Sequence, residues 1–269
     1  MREAVIVAGA RTPVGKAKKG SFANTRPDDL AALTVKEVLK RANNYDGPID
    51  DIIIGCAMPE AEQGMNMARN IGGLAGLDHD VPGITINRYC SSGLQSIAYA
   101  AERIMLGNSE AIIAGGAESM SLIPMGGHVI KPNLDLVENA PGYYMSMGHT
   151  AEEVAQRFGI SREDQDAFAA RSHEKAAKAL AEGRFDDEIV PVDVVDRKVG
   201  PENKVHETTI TVSKDEGVRP GTTPEILSKL KPAFTLGGSV TAGNASQMSD
   251  GAASVLVMDR EKAEKEGLT

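Results

Sequence analysis

The chain has 269 residues, 41% hydrophobic and 25% charged, an ordinary globular balance with room for one large or two small domains. A net charge of −9, only 4% aromatic residues and no Trp argue against a nucleic-acid binder, which needs a basic face or a stacking platform. Two cysteines make neither a disulfide framework nor a metal cluster, no run approaches the ~18 apolar residues of a membrane span, and the opening Met-Arg-Glu-Ala-Val-Ile-Val lacks the apolar core of a signal peptide, so a cytoplasmic protein is expected.

Ala4 to Ala8 reads as a buried strand, and Arg11 to Thr25 as a loop rich in Gly, Pro and Lys. Asp28 or Asp29 caps a helix through about Ala42, with Leu30, Leu33, Val38 and Leu39 among its apolar positions. Ile52 to Ile54 is a strand with Cys56 at its buried end, and Met65 to Leu74 a helix. The β-branched run Ile84-Thr85-Ile86 then leads to Cys90. After Ser91, Ser92 and Gly93 a helical repeat begins, in which Leu94, Ile97, Ala98, Ala101, Ile104 and Met105 form one apolar face and Gly107 is the stop signal. A second strand, Ala111 to Ala114, ends at Gly115-Gly116. Alternation of this kind predicts an α/β fold with a mainly parallel core sheet flanked by helices. Active sites in such sheets gather beyond the carboxyl ends of the strands, where Cys90 would lie.

Residues 117 to about 238 break the rhythm. A stretch rich in Gly, Pro, Met and Tyr runs from Met120 to Gly148. Two helices follow, Thr150 to Phe158 and one capped by Ser161 that runs to about Glu182 with Phe168, Ala169, Ala176 and Leu180 as apolar positions. Residues 186 to 212 alternate charged and β-branched groups as a solvated strand pair would, and Thr223-Pro224 starts a short helix through Lys229. Ser239 to Ala242 reads as a strand, Asn244 to Ala253 as a small-residue turn or short helix, and Ala253 to Met258 as a buried strand before a charged helix from Asp259 to Gly267. The division expected is a core of 1–118 and 239–269 with 119–238 inserted as an α+β lid, since long insertions are usually functional.

A thiol where a strand turns into a helix has chemical consequences. The free N–H groups of a first helical turn carry partial positive charge, which favours the nucleophilic thiolate and can stabilise an oxyanion. An unpaired cysteine is, however, most often a small buried apolar residue, and spacing alone leaves both readings of Cys90 open.

The wider strings resemble those of the thiolases. N-R-Y-C-S-S-G-L-Q-S at 87 to 96 resembles the nucleophile motif of that family, and A-R-T-P-V-G-K at 10 to 16 its N-terminal signature. A-G-G-A-E-S-M-S at 114 to 121, M-G-H-T-A-E at 147 to 152, K-P-A-F at 231 to 234 and V-T-A-G-N-A-S at 240 to 246 followed by S-D-G-A-A also match, in order, over essentially the whole chain. The resemblance implies a thiolase-like layered fold and an acyltransferase in which Cys90 takes the acyl group of a 3-ketoacyl-CoA. Coenzyme A and acyl-CoA would be substrates, with no metal or bound prosthetic group required. Ser246, Ala242 and Phe234 match residues along the pantetheine arm, Arg219 a position near the adenine and phosphate end, and Met147 a residue near the acyl site. Plain core packing for Phe234 and a surface charge for Arg219 are the alternatives. Family members are dimers or tetramers, so a homodimer or homotetramer is expected.

The family places its activating histidine in a G-H-P string, a second catalytic cysteine in C-x-G-G-G and a water-holding N-E-A string in its C-terminal half. None of these strings occurs in the 269 residues. Of the five histidines none is marked as the base: His79 lies in an Asp-His-Asp turn, His173 reads as part of a solvated helix face, and His149 stands in a matched string near the acyl site. The chain therefore reads as the N-terminal portion of a longer enzyme, inactive alone. Ser146 before Met-Gly, where the biosynthetic branch has His, and M-G-G-H at 125 to 128 favour a degradative 3-ketoacyl-CoA thiolase. An acetoacetyl-CoA-forming acetyltransferase, a ketosynthase-type condensing enzyme and a non-catalytic module binding CoA or a partner remain open.

Overall fold

The computed structural model describes residues 1–200 and 202–268. In chain order the elements are β1 (Ala4–Arg11), β2 (Gly15–Lys16), α1 (Pro27–Arg41), β3 (Asp51–Gly55), α2 (Met67–Ala75), β4 (Gly83–Ile86), α3 (Ser92–Met105) and β5 (Ala111–Ser119). Then follow α4 (Leu134–Asn139), α5 (Met147–Phe158), α6 (Arg162–Ala181), β6 (Val192–Val199), β7 (Val205–Val212), α7 (Pro224–Leu227), β8 (Ser249–Asp259) and α8 (Arg260–Lys265).

Five strands form a sheet in the order β1-β8-β5-β3-β4, with the short β2 paired to β8. β3 runs parallel to both β4 and β5, whereas β8 is antiparallel to β1, β2 and β5. The α/β class expected from the sequence holds, but the sheet is mixed rather than mainly parallel. β8 follows a long excursion of the chain and not a single crossover helix, so nothing obliges it to run with its neighbours.

The central strands are apolar on both faces, as buried strands must be. Ile52, Ile54, Ile113, Leu256 and Met258 face one cluster, which includes Leu30, Val35 and Val38 of α1 and Met67 and Ile71 of α2. Ile53, Ile112, Ala114 and Val257 face the other, with Ala100 and Ile104 of α3. The alternation of one face and the other along each strand is the period of two that side chains follow. β1 is only half-buried and Ile6 is exposed, in contrast to the buried strand expected.

α3 differs from the periodicity reading. Its buried residues are Ser92, Ser96, Ala100 and Ile104, while Leu94 is 72% exposed. Small side chains occupy the inner stripe because this end of α3 lies against glycine backbone of the sheet, where leucine would not fit. β8 also begins earlier than expected. Ser249 to Ala252 form strand, not turn, because Thr12 exchanges hydrogen bonds with Ala252 through N–H to carbonyl (2.9 Å) and N–H to hydroxyl (3.1 Å) contacts. Ser239 to Ala242 do not form a strand. Glu152 accepts the Ser239 and Val240 N–H groups and Asn244 Oδ1 the Thr241 N–H, leaving one isolated bridge to Pro232.

The chain separates into two units, one of 1–128, 187–216 and 248–269, the other of 129–186 and 217–247. The expected inserted region, 119–238, is thus divided. The β6–β7 hairpin belongs with the sheet because Val190, Val192 and Val212 are buried in its larger core. Arg11 adds ion pairs to Glu188 and Asp215 at 2.6 and 2.8 Å. In the second unit Ser161 caps α6 by accepting the Asp164 N–H, and buried Asp166 accepts from Arg162 and from Asn244. Its apolar cluster is small, Ala169, Ala170 and Leu227, and Phe168 is exposed.

Candidate active site

Cys90 lies just beyond the carboxyl end of β4 and is exposed. It does not sit within the first turn of α3, as expected, but one residue before the N-cap, Ser91. The reason is the turn that precedes the helix. Tyr89 has φ +48°, in the left-handed region, and the Ser91 and Ser92 N–H groups bond back to the carbonyls of Arg88 (3.2 Å) and Tyr89 (3.0 Å). Helical bonding starts only with Gln95 N–H to the Ser91 carbonyl, 2.9 Å. Among the described residues the Gly93 and Leu94 N–H groups have no acceptor outside the helix; they belong to the first turn, the electropositive end that a helix presents.

Side chains fix this turn. Asn87 Oδ1 accepts the Tyr89 N–H (2.8 Å), and Asn87 Nδ2 donates to the Ala57 carbonyl (3.0 Å). Ser92 Oγ accepts the Arg88 N–H (2.8 Å) and donates to the Tyr89 carbonyl (2.6 Å). Ser96 Oγ, buried, bonds to the Gly115 carbonyl at 2.8 Å and so ties α3 to β5. Arg88 is held by Gln95. The approach of α3 to the sheet requires Gly55, the last residue of β3. A Cβ there would lie 2.3 Å from the Ser92 carbonyl carbon and 2.5 Å from the Gly93 nitrogen.

Cys56 behaves as expected of a strand end. It is 1% exposed, and burial first and the Glu118 charge second push its thiol up to about 12. Beside it Glu118 accepts the N–H groups of Ala57 (2.6 Å) and Met58 (3.3 Å) and Nε2 of buried Gln63 (2.7 Å). Gln63 Oε1 in turn accepts the Ser119 N–H. The sequence reading did not single out Glu118, Gln63 or Asn87. Two of the three lie within quoted strings, Glu118 in A-G-G-A-E-S-M-S and Asn87 in N-R-Y-C, which was the available signal.

The other predicted residues fall in the second unit. Met147 is exposed at the first position of α5, whose N-cap Ser146 shares a 2.7 Å hydrogen bond with Nδ1 of His149. Phe234 packs against the α5 backbone: a Cβ on Gly148 would meet its ring at 2.1 Å, and the His149 ring stands edge-on to it at 6.4 Å. Ala242 and Ser246 are exposed in the chain that follows the bridge between Pro232 and Thr241. Arg219 is exposed, and its N–H donates to Nδ1 of His173 at 3.3 Å, so His173 is not the freely solvated group expected. A cleft of about 960 Å³ is lined by Tyr144, Ser146, His149, Glu152, Leu236 and Ser239 among others. Glu152 there holds the 239–240 turn to α5. Burial pushes its carboxyl up, but the hydrogen bonds from Ser239 and Val240 prevail and hold it below its ordinary value. Among the described residues no group of three His, Cys, Asp or Glu side chains is arranged to hold a metal ion.

Residues 4–261 match the family described as thiolase, N-terminal domain. The 3-ketoacyl-CoA thiolase of Bacillus subtilis (strain 168) is 70% identical, over 100% of this chain and 68% of that protein. The 3-ketoacyl-CoA thiolase A, peroxisomal, of Mus musculus is 47% identical over 99% of this chain and 62% of that protein. Among solved structures, the Bacillus anthracis acetyl-CoA acetyltransferase superposes with a TM-score of 0.85 at 38% identity, over 100% of this chain and 68% of that one. This chain therefore spans 62% to 68% of the length of these relatives. The motif strings, the layered α/β sheet with an exposed cysteine beyond its strand ends, and these matches agree: the chain belongs to the thiolase family.

Proposed function

We propose that the chain carries the nucleophilic part of an acyltransferase that cleaves 3-ketoacyl-CoA to acetyl-CoA and a shortened acyl-CoA, or runs the reverse condensation. The observation that carries this reading is Cys90, exposed in the turn that leads into the N-terminus of α3, one residue before its N-cap. Its sulfur attacks the 3-keto carbon, the bond between C2 and C3 breaks, and acetyl-CoA leaves with a proton at C2. The acyl group stays on Sγ as a thioester until the thiol of free CoA takes it and returns a proton. Splitting one displacement into two steps is the advantage of a covalent nucleophile.

Coenzyme A and the acyl-CoA are substrates in this reading. Phe234, Ala242 and Ser246 contact the pantetheine arm, Arg219 the phosphate end and Met147 the acyl group. Ser146 before Met147-Gly148 supports the degradative direction, and the names of the Bacillus subtilis and Mus musculus relatives support the same substrate. A homodimer or homotetramer is part of the proposal, supported by the open sheet edge at β4 and the exposed Ile84 and Leu94. A cytoplasmic location is proposed as well. Among the described residues no helix is long and apolar enough to cross a membrane.

The 269 residues hold the nucleophile without the family's G-H-P histidine, and we expect no sustained thiolysis from them alone. The test is incubation with acetoacetyl-CoA and CoA, with acetyl-CoA measured by chromatography and Cys90 acylation by intact mass. Acetyl-CoA formation at the rate of an intact thiolase would refute the expected inactivity. Acyl mass that persists in Cys90→Ser would refute Cys90 as the acyl carrier.

A further inference from the structure

We infer that Glu118 is a positioning residue for Cys90, acting through the Ala57 peptide and Asn87; the inference rests on the reading of Cys90 as the nucleophile. Glu118 touches no reacting atom. Its two carboxylate oxygens collect three N–H donors, from Ala57 and Met58 in the chain after β3 and from the buried Gln63 side chain. These contacts fix the Ala57 peptide. The Ala57 carbonyl, on the next bond of the backbone, takes Nδ2 of Asn87, and Oδ1 of the same amide holds the Tyr89 N–H. Tyr89 is the residue forced to φ +48°, a conformation that a non-glycine side chain adopts only when its surroundings over-determine it. Cys90 is the next residue. The path from Glu118 to Cys90 thus runs through the hydrogen-bonded groups of Glu118, Ala57, Asn87 and Tyr89 without a gap, and it ends on the left-handed residue that precedes Cys90.

A carboxylate suits this position and an amide does not. Its three nitrogen neighbours are donors, and the Cys56 thiol lies 3.8 Å from one oxygen, so the NH₂ of a glutamine would face an N–H in either orientation. Glu118→Gln should therefore free the Ala57 peptide and let Tyr89 relax, which loosens the turn that carries Cys90.

The experiment follows amide hydrogen exchange by NMR at Tyr89 and, as an internal reference, at Ile113 in the core of β5, in wild type, Glu118→Gln, Asn87→Ala, Asn87→Asp and the double variant Glu118→Gln/Asn87→Ala. Glu118→Gln should speed exchange at Tyr89 on the order of tenfold, the loss expected for one hydrogen bond near 1.4 kcal/mol, with Ile113 unchanged. The double variant should be no faster than Asn87→Ala, since both act on one path. Asn87→Asp keeps the acceptor for Tyr89 but loses the donor to Ala57; it should loosen Tyr89 as well, and decides the question should Glu118→Gln not fold. Tyr89 exchange that stays at the wild-type rate in Glu118→Gln and Asn87→Asp would overturn the inference. So would Tyr89 and Ile113 changing together, or effects of Glu118→Gln and Asn87→Ala that multiply. None of these readouts depends on turnover, so failure of the thiolase reading, seen as no acylation at Cys90, is distinct from failure of the positioning path.

Discussion

Gly55→Ala is the smallest change that tests how α3 is seated. Gly55 ends β3, where it pairs with Ile86 on one side and Gly116 on the other. An added methyl would sit 2.3 Å from the Ser92 carbonyl carbon and 2.5 Å from the Gly93 nitrogen, against the 3.4 Å at which ordinary contact begins. The start of α3 must then withdraw by about 1 Å, and the opposing atoms are backbone, so no side chain can swing aside. Such a shift separates Ser96 Oγ from the Gly115 carbonyl and lifts the stripe of Ser92, Ser96, Ala100 and Ile104 from the sheet. Overpacking of this kind costs about 1–3 kcal/mol, and clashes with three backbone atoms, the Ser92 carbonyl oxygen included, place this site toward the upper end. Gly73→Ala is the matched control. It lies within α2 with nothing within 4 Å of the added carbon, and alanine in a helix interior is favoured over glycine by about 0.5–1 kcal/mol. Urea unfolding followed by circular dichroism, with iodoacetamide labelling of Cys90 read by intact mass, separates the two. Gly55→Ala should lower the midpoint and change the labelling rate, whereas Gly73→Ala should raise the midpoint and leave labelling alone. A Gly55→Ala protein with wild-type midpoint and wild-type labelling would refute the seating of α3 on that glycine.

Iodoacetamide should add one label to the folded protein, at Cys90. With its thiol pushed up to about 12, Cys56 is ionised to about one part in 10⁴ at pH 8, against roughly a quarter for a free cysteine, and a second label under native conditions would contradict its burial. Glu216 accepts the Lys16 and Ser21 N–H groups and the Ser21 hydroxyl; burial pushes its carboxyl up, but these bonds prevail and hold it below the ordinary value. Its contribution is therefore present above the unfolded value and lost as pH falls through the folded one, so Glu216→Gln should cost about 1–2 kcal/mol at pH 7 in urea unfolding, and its gap from wild type should narrow as pH falls below the ordinary carboxylate value. A gap that does not change as the solution is acidified would show that the charge is not the source. Gly148→Ala places a Cβ 2.1 Å from the Phe234 ring, which must leave the α5 backbone, and CoA affinity measured by calorimetry should fall; unchanged affinity would remove Phe234 from the pantetheine arm.

The strands β3 and β5 and the helices α1 and α6 were legible because each carries its instructions locally, in an apolar run, a period near 3.6 or a Ser161 cap, although α1 starts at Pro27 after an Arg26 without a side-chain cap, not from Asp28 or Asp29, and β5 continues past Gly115-Gly116 to Ser119. The Cys90 turn was legible for another reason: its motif is contiguous. What escaped the sequence depends on partners far along the chain. The inner face of α3 is Ser, Ser, Ala and Ile, and hydrophobicity cannot rank it above Leu94 without knowing that Gly55 faces it 37 residues upstream. The direction of β8 follows from the path of the intervening chain, which no periodicity records. Ser249 to Ala252 look like a turn because their small side chains suit one, and become strand because Thr12, 240 residues earlier, pairs with Ala252.

The same distinction explains why Cys90 could be singled out from the sequence and the residues around its turn could not. Cys90 stands out because N-R-Y-C-S-S-G-L-Q-S is contiguous, whereas the strand, cysteine and helical repeat alone leave its role open. Holding Tyr89 in the left-handed region needs Asn87, the Ala57 peptide and Glu118, which are separated by up to 61 residues and meet only because β3 and β5 are adjacent and parallel. Polar groups of that kind have no periodicity of their own. Glu118 is the one charged side chain of β5, and its carboxylate takes three N–H donors from the chain after β3, so its meaning appears once the register of the two strands, Gly55 opposite Gly116, is known.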